Sequence, residues 1–240
     1  MSIGAAGELL RGATTLGYFF GASPVVGLAI RTRARDREQA RALAVAHLRR
    51  TRELGGIRFT VEGESHVPRG RGCVIVYNET SLADLFVTSE VLWRFTDQNV
   101  IAAEFARVPL MSATAERAGL TFMPRGDRAA TDRVLATLAV SVSQGACVSF
   151  AAQGGVARAP GVAHFKRGAF LVAIRAAVPV VPMAVRGGRE ILPPYSLRMR
   201  PGVIRCRYGP PLTTAGLQDD DAPALAERTR RIVEAMFSAA

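Results

Sequence analysis

The stretch Cys73-Val74-Ile75-Val76-Tyr77-Asn78-Glu79-Thr80-Ser81-Leu82-Ala83-Asp84 decides how the chain folds. Five successive apolar residues, 73 to 77, with no polar alternation describe a strand covered on both faces, as in the interior of a parallel sheet. The polar residues after it suit the N-terminal cap of a helix over 82–95. A strand that leads through a polar turn into a helix is the building unit of α/β domains, and the unit recurs in both directions. Upstream, Gly55-Gly56 precedes a period-two run, Ile57, Phe59 and Val61, closed by Gly63. Downstream, strands are expected over 100–103, 119–123, 146–151, 179–185 and 203–208, with helices over 109–118, 131–144, 168–177 and 222–237. The expected fold is a single α/β domain: a mixed, largely parallel sheet flanked by helices, with an N-terminal helical cap or hairpin.

A chain of 240 residues suits one hydrophobic core, and 49% hydrophobic against 21% charged residues excludes wholesale disorder. Cys73, Cys147 and Cys206 lie far apart, each in an apolar or strand-like run, and away from the three histidines. That spacing excludes a disulfide framework and a zinc site and makes Cys147 a core residue; no metal or redox cofactor is implied. The net charge is +11, and every one of the 31 basic residues except Lys166 is arginine. Such a surface attracts phosphate groups, an anionic membrane face or an acidic carrier protein. Nucleic acid is not expected, because the arginines are scattered and aromatic residues make up 7%.

Residues 1–54 read apart from the α/β domain at 55–240. No charge falls between Gly12 and Ile30, and Arg31, Arg33, Arg35 and Arg37 follow at once. The run approaches the ~20 residues a spanning helix needs. Gly17, Gly21, Pro24 and Gly27 interrupt it, however, and favour an interfacial hairpin or a buried helical cap. Residues 36–54 place Ala40, Leu43, Ala44, His47 and Leu48 at helical spacing between arginines, a basic amphipathic helix that lies either on an anionic membrane or on its own domain. The expected location is the cytoplasm, with peripheral contact to the inner face of a membrane.

In sheets of this kind ligands bind beyond the carboxyl ends of the strands. Three strand exits carry polar residues: 78–84, 125–128 and 153–166. Their convergence would form one cleft that favours anions. Ser81 reads as a helix cap, His66 as part of a loop, and His164 has no nucleophile beside it.

The order of motifs resembles the lysophospholipid acyltransferase superfamily. The blocks are Asn78-Glu79-Thr80-Ser81-Leu82-Ala83-Asp84, Glu104-Phe105 with Pro109, Gly119 to Arg125, Gln153-Gly154-Gly155, Phe165-Lys166-Arg167-Gly168, Val178 to Pro182 and Tyr208 to Leu212. The resemblance implies acyl transfer from an acyl-CoA or acyl carrier protein. It also implies a first motif, Asn-His-x4-Asp, whose histidine is the base and whose aspartate orients the ring. Glu79 stands at the histidine position and Asp84 is retained. The motif Pro-Glu-Gly-Thr-Arg, implied to hold the acceptor phosphate, is replaced by Ala152-Gln153-Gly154-Gly155-Val156, while Arg125 stays in register.

Glu79 and Asp84 are therefore the candidate catalytic residues, and Asn78, Arg125, Gln153, Gly154, Arg158 and Lys166 the candidate substrate-binding residues. A carboxylate of pKa ~4.3 is about two units less basic than imidazole at ~6.5, a deficit of ~3 kcal/mol in water. Burial near a second carboxylate reduces that deficit. Three functions fit. The first is acyl transfer to a hydroxyl or amine acceptor other than lysophosphatidate, which predicts a long apolar tunnel. The second is a repurposed enzyme of a specialised biosynthetic pathway that uses the carboxylate pair on an amine of a carrier-tethered substrate, for instance in ring closure, which predicts a short pocket. The third is a non-catalytic binding protein.

Overall fold

The computed structural model describes residues 3–102, 111–156 and 159–239. Two helices open the chain, α1 (Ile3–Arg33) and α2 (Arg37–Leu54), followed by β1 (Ile57–Glu62) and β2 (Cys73–Tyr77). Then come α3 (Leu82–Leu92), β3 (Gln98–Ala102), α4 (Met111–Ala118), β4 (Leu120–Met123), α5 (Arg128–Ser143) and β5 (Cys147–Ala151). The chain ends with α6 (Gly168–Arg175), β6 (Val180–Arg186), α7 (Gly188–Ile191), β7 (Gly202–Tyr208) and α8 (Ala222–Ser238). Glu104, Phe105, Pro109 and Arg158 lie outside the described residues.

The seven strands form one sheet in the order β1-β7-β6-β2-β5-β3-β4. All pairings are parallel except β6 with β7. The sheet is thus mixed and largely parallel, as the sequence predicts. β2 sits at its centre and is buried over its whole length, which accounts for the unbroken apolar run. Its side chains alternate between two cores. Val74 and Val76 face α5, α6 and α8, whereas Cys73, Ile75 and Tyr77 face the layer that holds α1, α2 and α3.

Of the two forms expected for the N-terminal region, helical cap or hairpin, it takes the helix. Residues 12–30 do not turn back as a hairpin; they continue as one helix through Pro24. A proline inside a helix costs about 3 kcal/mol. Burial of Leu16, Phe19 and Ile30 beneath the same helix offsets that cost. Gly17 and Gly21 fall on its exposed side, where a missing side chain leaves no cavity. Residues Gly4–Arg33 are long and apolar enough to cross a membrane by length and composition, and Phe20, Val25 and Leu28 point outward. α2 starts on an Asp36 cap and packs along α1 and α3. His47 is buried between Tyr18 and Phe19, 3.1 Å from Ser23 Oγ, which makes it part of the helix interface.

At the end of β2 the side chain of Asn78 replaces a peptide group. Its Nδ2 donates to the Val185 carbonyl at 2.9 Å, and its Oδ1 accepts from the Val185 N–H at 2.8 Å. The fully buried amide extends the β2–β6 pairing by one step and fixes the backbone that leads into Glu79. Asn78→Ala leaves two buried backbone groups unpaired, at about 1–3 kcal/mol each. Denaturant titration is expected to show a loss of several kcal/mol with the slope of the transition unchanged.

Candidate active site

The three polar strand exits meet. Glu79 and Ser81 after β2, Arg125 to Arg128 after β4, and Gln153 to Val156 with Lys166 after β5 line one cleft of about 1630 Å³. Ligand pockets are commonly about 300–1,000 Å³, so the cleft can hold more than a compact small molecule. It runs from the polar exits to the N-terminal helices. There Leu16, Phe19, Ser23, Val26 and Ile30 of α1 form its wall together with Ala44, His47 and Leu48 of α2. The α1 residues recur at three- and four-residue spacing, so one helix face carries the lining. That spacing was readable in the sequence; the glycines and the proline had hidden it.

The first turn of α3 is a capping box. Ser81 Oγ accepts from the Ala83 N–H at 3.0 Å and donates to the Leu192 carbonyl at 2.6 Å. Asp84 reaches back to the cap. Its Oδ2 accepts from the Thr80 N–H at 2.7 Å, from Thr80 Oγ1 at 2.9 Å and from the Ser81 N–H at 2.9 Å. Its Oδ1 is buried without a hydrogen-bond partner among the described residues. This atom lies against Gly188 at the start of α7, where any side chain would overlap it. Asp84 is thus held behind the cleft wall and does not line the cleft.

Glu79 is half-buried and points into the cleft. Gln153 Nε2 donates to its backbone carbonyl at 3.1 Å, which ties the β2 exit to the β5 exit. Among the described residues its carboxylate accepts no hydrogen bond. Burial, followed by the charge of Asp84, pushes the Glu79 carboxyl up to about 7, against a smaller downward pull from Arg125. Burial raises Asp84 to about 6, although the bonds from Thr80 and Ser81 oppose it. Glu79 therefore titrates in the range of an ordinary imidazole. The environment supplies most of the basicity by which imidazole exceeds a free carboxylate.

The cationic side is formed by Arg125, Arg128, Lys166 and Arg167 in the cleft lining. The Arg125 guanidinium donates to the Gly154 carbonyl. Gly154 has φ +70°, a left-handed conformation, and a side chain there would collide with the Lys166 stem at 2.8 Å. Glycine at this position lets the lysine lie across the loop. Of the candidate residues, Glu79, Arg125, Gln153, Gly154 and Lys166 come together in the cleft. Asn78 stays behind it, with its amide occupied by Val185. His164 is exposed and does not line the cleft, and His66 bonds the Tyr208 carbonyl.

Comparison with known proteins fits this geometry. A family profile described as Acyltransferase matches residues 58–186. The chain is 31% identical over 186 residues to 1-acyl-sn-glycerol-3-phosphate acyltransferase alpha of Homo sapiens, covering 77% of this chain and 65% of that protein. It is 32% identical over 193 residues to the Mus musculus protein of the same description, with the same coverage. The chain thus spans just under two thirds of the length of these relatives. Its fold matches the crystal structure of the 1-acyl-sn-glycerophosphate (LPA) acyltransferase PlsC from Thermotoga maritima. That match has a TM-score of 0.69 at 20% identity, over 97% of this chain and 95% of the other. With the family profile spanning more than half of its residues, the chain belongs to the Acyltransferase family.

Proposed function

We propose that the protein transfers an acyl group from a thioester, on coenzyme A or an acyl carrier protein, to a hydroxyl or amine acceptor, with Glu79 as the base. The observation that carries this reading is the long apolar cleft that joins Glu79 to the α1–α2 wall. An acyl chain fills such a space, whereas ring closure on a short carrier-tethered amine requires a small pocket. In the reaction, Glu79 takes the acceptor proton as the oxygen or nitrogen attacks the thioester carbonyl. The tetrahedral intermediate then expels the thiolate, and the protonated Glu79 returns the proton to sulfur. A base with a pKa near the working pH serves both steps. Asp84 acts through its charge and by holding the first turn of α3.

Arg125, Arg128, Lys166 and Arg167 suit the phosphates of a coenzyme A donor or an anionic group on the acceptor. The relatives' names make 1-acyl-sn-glycerol 3-phosphate the first acceptor to test. The neutral Gln153-Gly154-Gly155-Val156 loop, where the resemblance implies a phosphate-binding block, favours an acceptor with a different head group. The outward apolar residues of α1, next to the arginines that follow it, suit peripheral contact with a membrane that supplies the acyl substrate.

Acyl-CoA species of increasing chain length, each paired with phosphorylated and non-phosphorylated acceptors, test the reading by mass spectrometry. Transfer is expected in the wild type, with Glu79→Gln slower by roughly 100- to 10,000-fold. A folded wild type that transfers nothing across this panel would reject it. Ala44→Phe, which fills the α2 wall, is expected to shorten the accepted chain without abolishing transfer of short ones.

The raised carboxyl also fixes a pH signature. Activity is expected to rise with pH and level off above about 7. A carboxyl whose pKa is higher in the folded chain makes that state bind more protons, so stability falls as pH rises from about 4.5 to about 7. Glu79→Gln removes this loss. Its melting temperature should exceed that of the wild type at pH 8, and the difference should disappear by pH 4, as thermal scans can show.

A further inference from the structure

Cys73 and Cys147 are 74 residues apart in sequence, yet they are registered partners at the first positions of β2 and β5. Their sulfurs lie 3.2 Å apart on the face toward α3. Neighbouring strands run about 4.8 Å apart, inside the ~4.4–6.8 Å window of Cα separations that a disulfide spans. Closing the bond draws the sulfurs together by about 1 Å, to ~2.05 Å. Both cysteines are free thiols.

The two are not equivalent. Cys73 is fully buried, and Cys147, 7% exposed, borders a second cavity of about 510 Å³ at the amino ends of the strands, away from the cleft. Arg69, Arg71, Arg94 and Asp97 share its walls. The Cys147 N–H donates to Asp97 Oδ2 at 2.9 Å, and Arg94 pairs with Glu64. The side chains of Arg69 and Arg71 are exposed at the mouth. The Cys73 thiol donates to Cys147, which lowers the pKa of Cys147 and raises that of Cys73. A thiol that borders a small cavity beside a fully buried second thiol 3.2 Å away matches the arrangement of redox-responsive cysteine pairs.

We propose that Cys147 and Cys73 form a peroxide-reactive dithiol that closes to a reversible disulfide between β2 and β5. The Cys147 thiolate attacks a peroxide, the O–O bond breaks, and hydroxide or alkoxide leaves as Cys147 becomes a sulfenic acid. Cys73 loses its proton and attacks that sulfur, the S–S bond forms, and hydroxide leaves to become water. The two sulfurs together lose two electrons, and the peroxide gains them.

The test treats the reduced full-length protein with hydrogen peroxide, denatures it, alkylates the free thiols and reads intact and peptide masses. Cys206 is the internal control, because it is buried and burial pushes its thiol up to about 12. One alkylated thiol in place of three is expected, with the mass of two hydrogens lost and the Cys73 peptide joined to the Cys147 peptide. Dithiothreitol should restore all three thiols. Three alkylated thiols after peroxide, or a link through Cys206, would overturn the proposal. Cys73→Ala is expected to stop Cys147 at the sulfenic acid, trapped by a 1,3-dione, and a lack of trapping in folded variant counts against it. The wild-type masses decide whether the bond forms even if the variant does not fold.

Discussion

A strand in the middle of a sheet must leave it without exposing the peptide groups of its neighbour. Here the Asn78 amide takes both hydrogen bonds of Val185 at the point where β2 gives way to the turn. The rest of the site depends on that substitution of side chain for backbone. It holds the chain in register for one further residue and delivers Glu79 to the cleft. Gln153 then anchors the Glu79 carbonyl from the neighbouring strand exit, and Thr80 and Ser81 tie the next turn to Asp84. These bonds hold the backbone around the base, and its carboxylate is left facing the cleft.

Two opposing effects set the chemistry there. Glutamate is the weaker base in water, but the desolvation that makes its charge costly in the cleft also makes its proton harder to remove. The second effect nearly cancels the first. Asp84 adds to it through space, from behind the wall, without touching Glu79. Beyond that coupling, different contacts shape the two carboxylates. Asp84 feels burial against three donated hydrogen bonds, and Glu79 feels burial against the arginine across the cleft.

Much of this was legible in the sequence. The apolar run at 73–77 marks β2 to the residue, and the polar exits after β2, β4 and β5 mark the polar end of the cleft. The order of motif blocks gave the superfamily. What escaped depends on contacts between distant segments. Nothing in the spacing of Cys73 and Cys147 shows that β5 inserts beside β2, because sheet order is a property of the whole chain. For α1 the choice between hairpin and helical cap stayed open because Pro24 and three glycines disfavour helix locally; its packing against α2 and α4 decides for the helix. Gly188 and α7 gave no signal, since a four-residue helix has no periodicity to detect.

The unpartnered Oδ1 of Asp84 bears on what position 79 can hold. The resemblance implies a histidine ring N–H held by this carboxylate, and the glutamate that occupies position 79 has no such donor when ionised. The acceptor atom, the Gly188 contact that shields it and the three bonds that aim the carboxylate are all in place. A buried lone pair left idle works against the fold, so a side chain at position 79 that carried an N–H to it would relieve that cost.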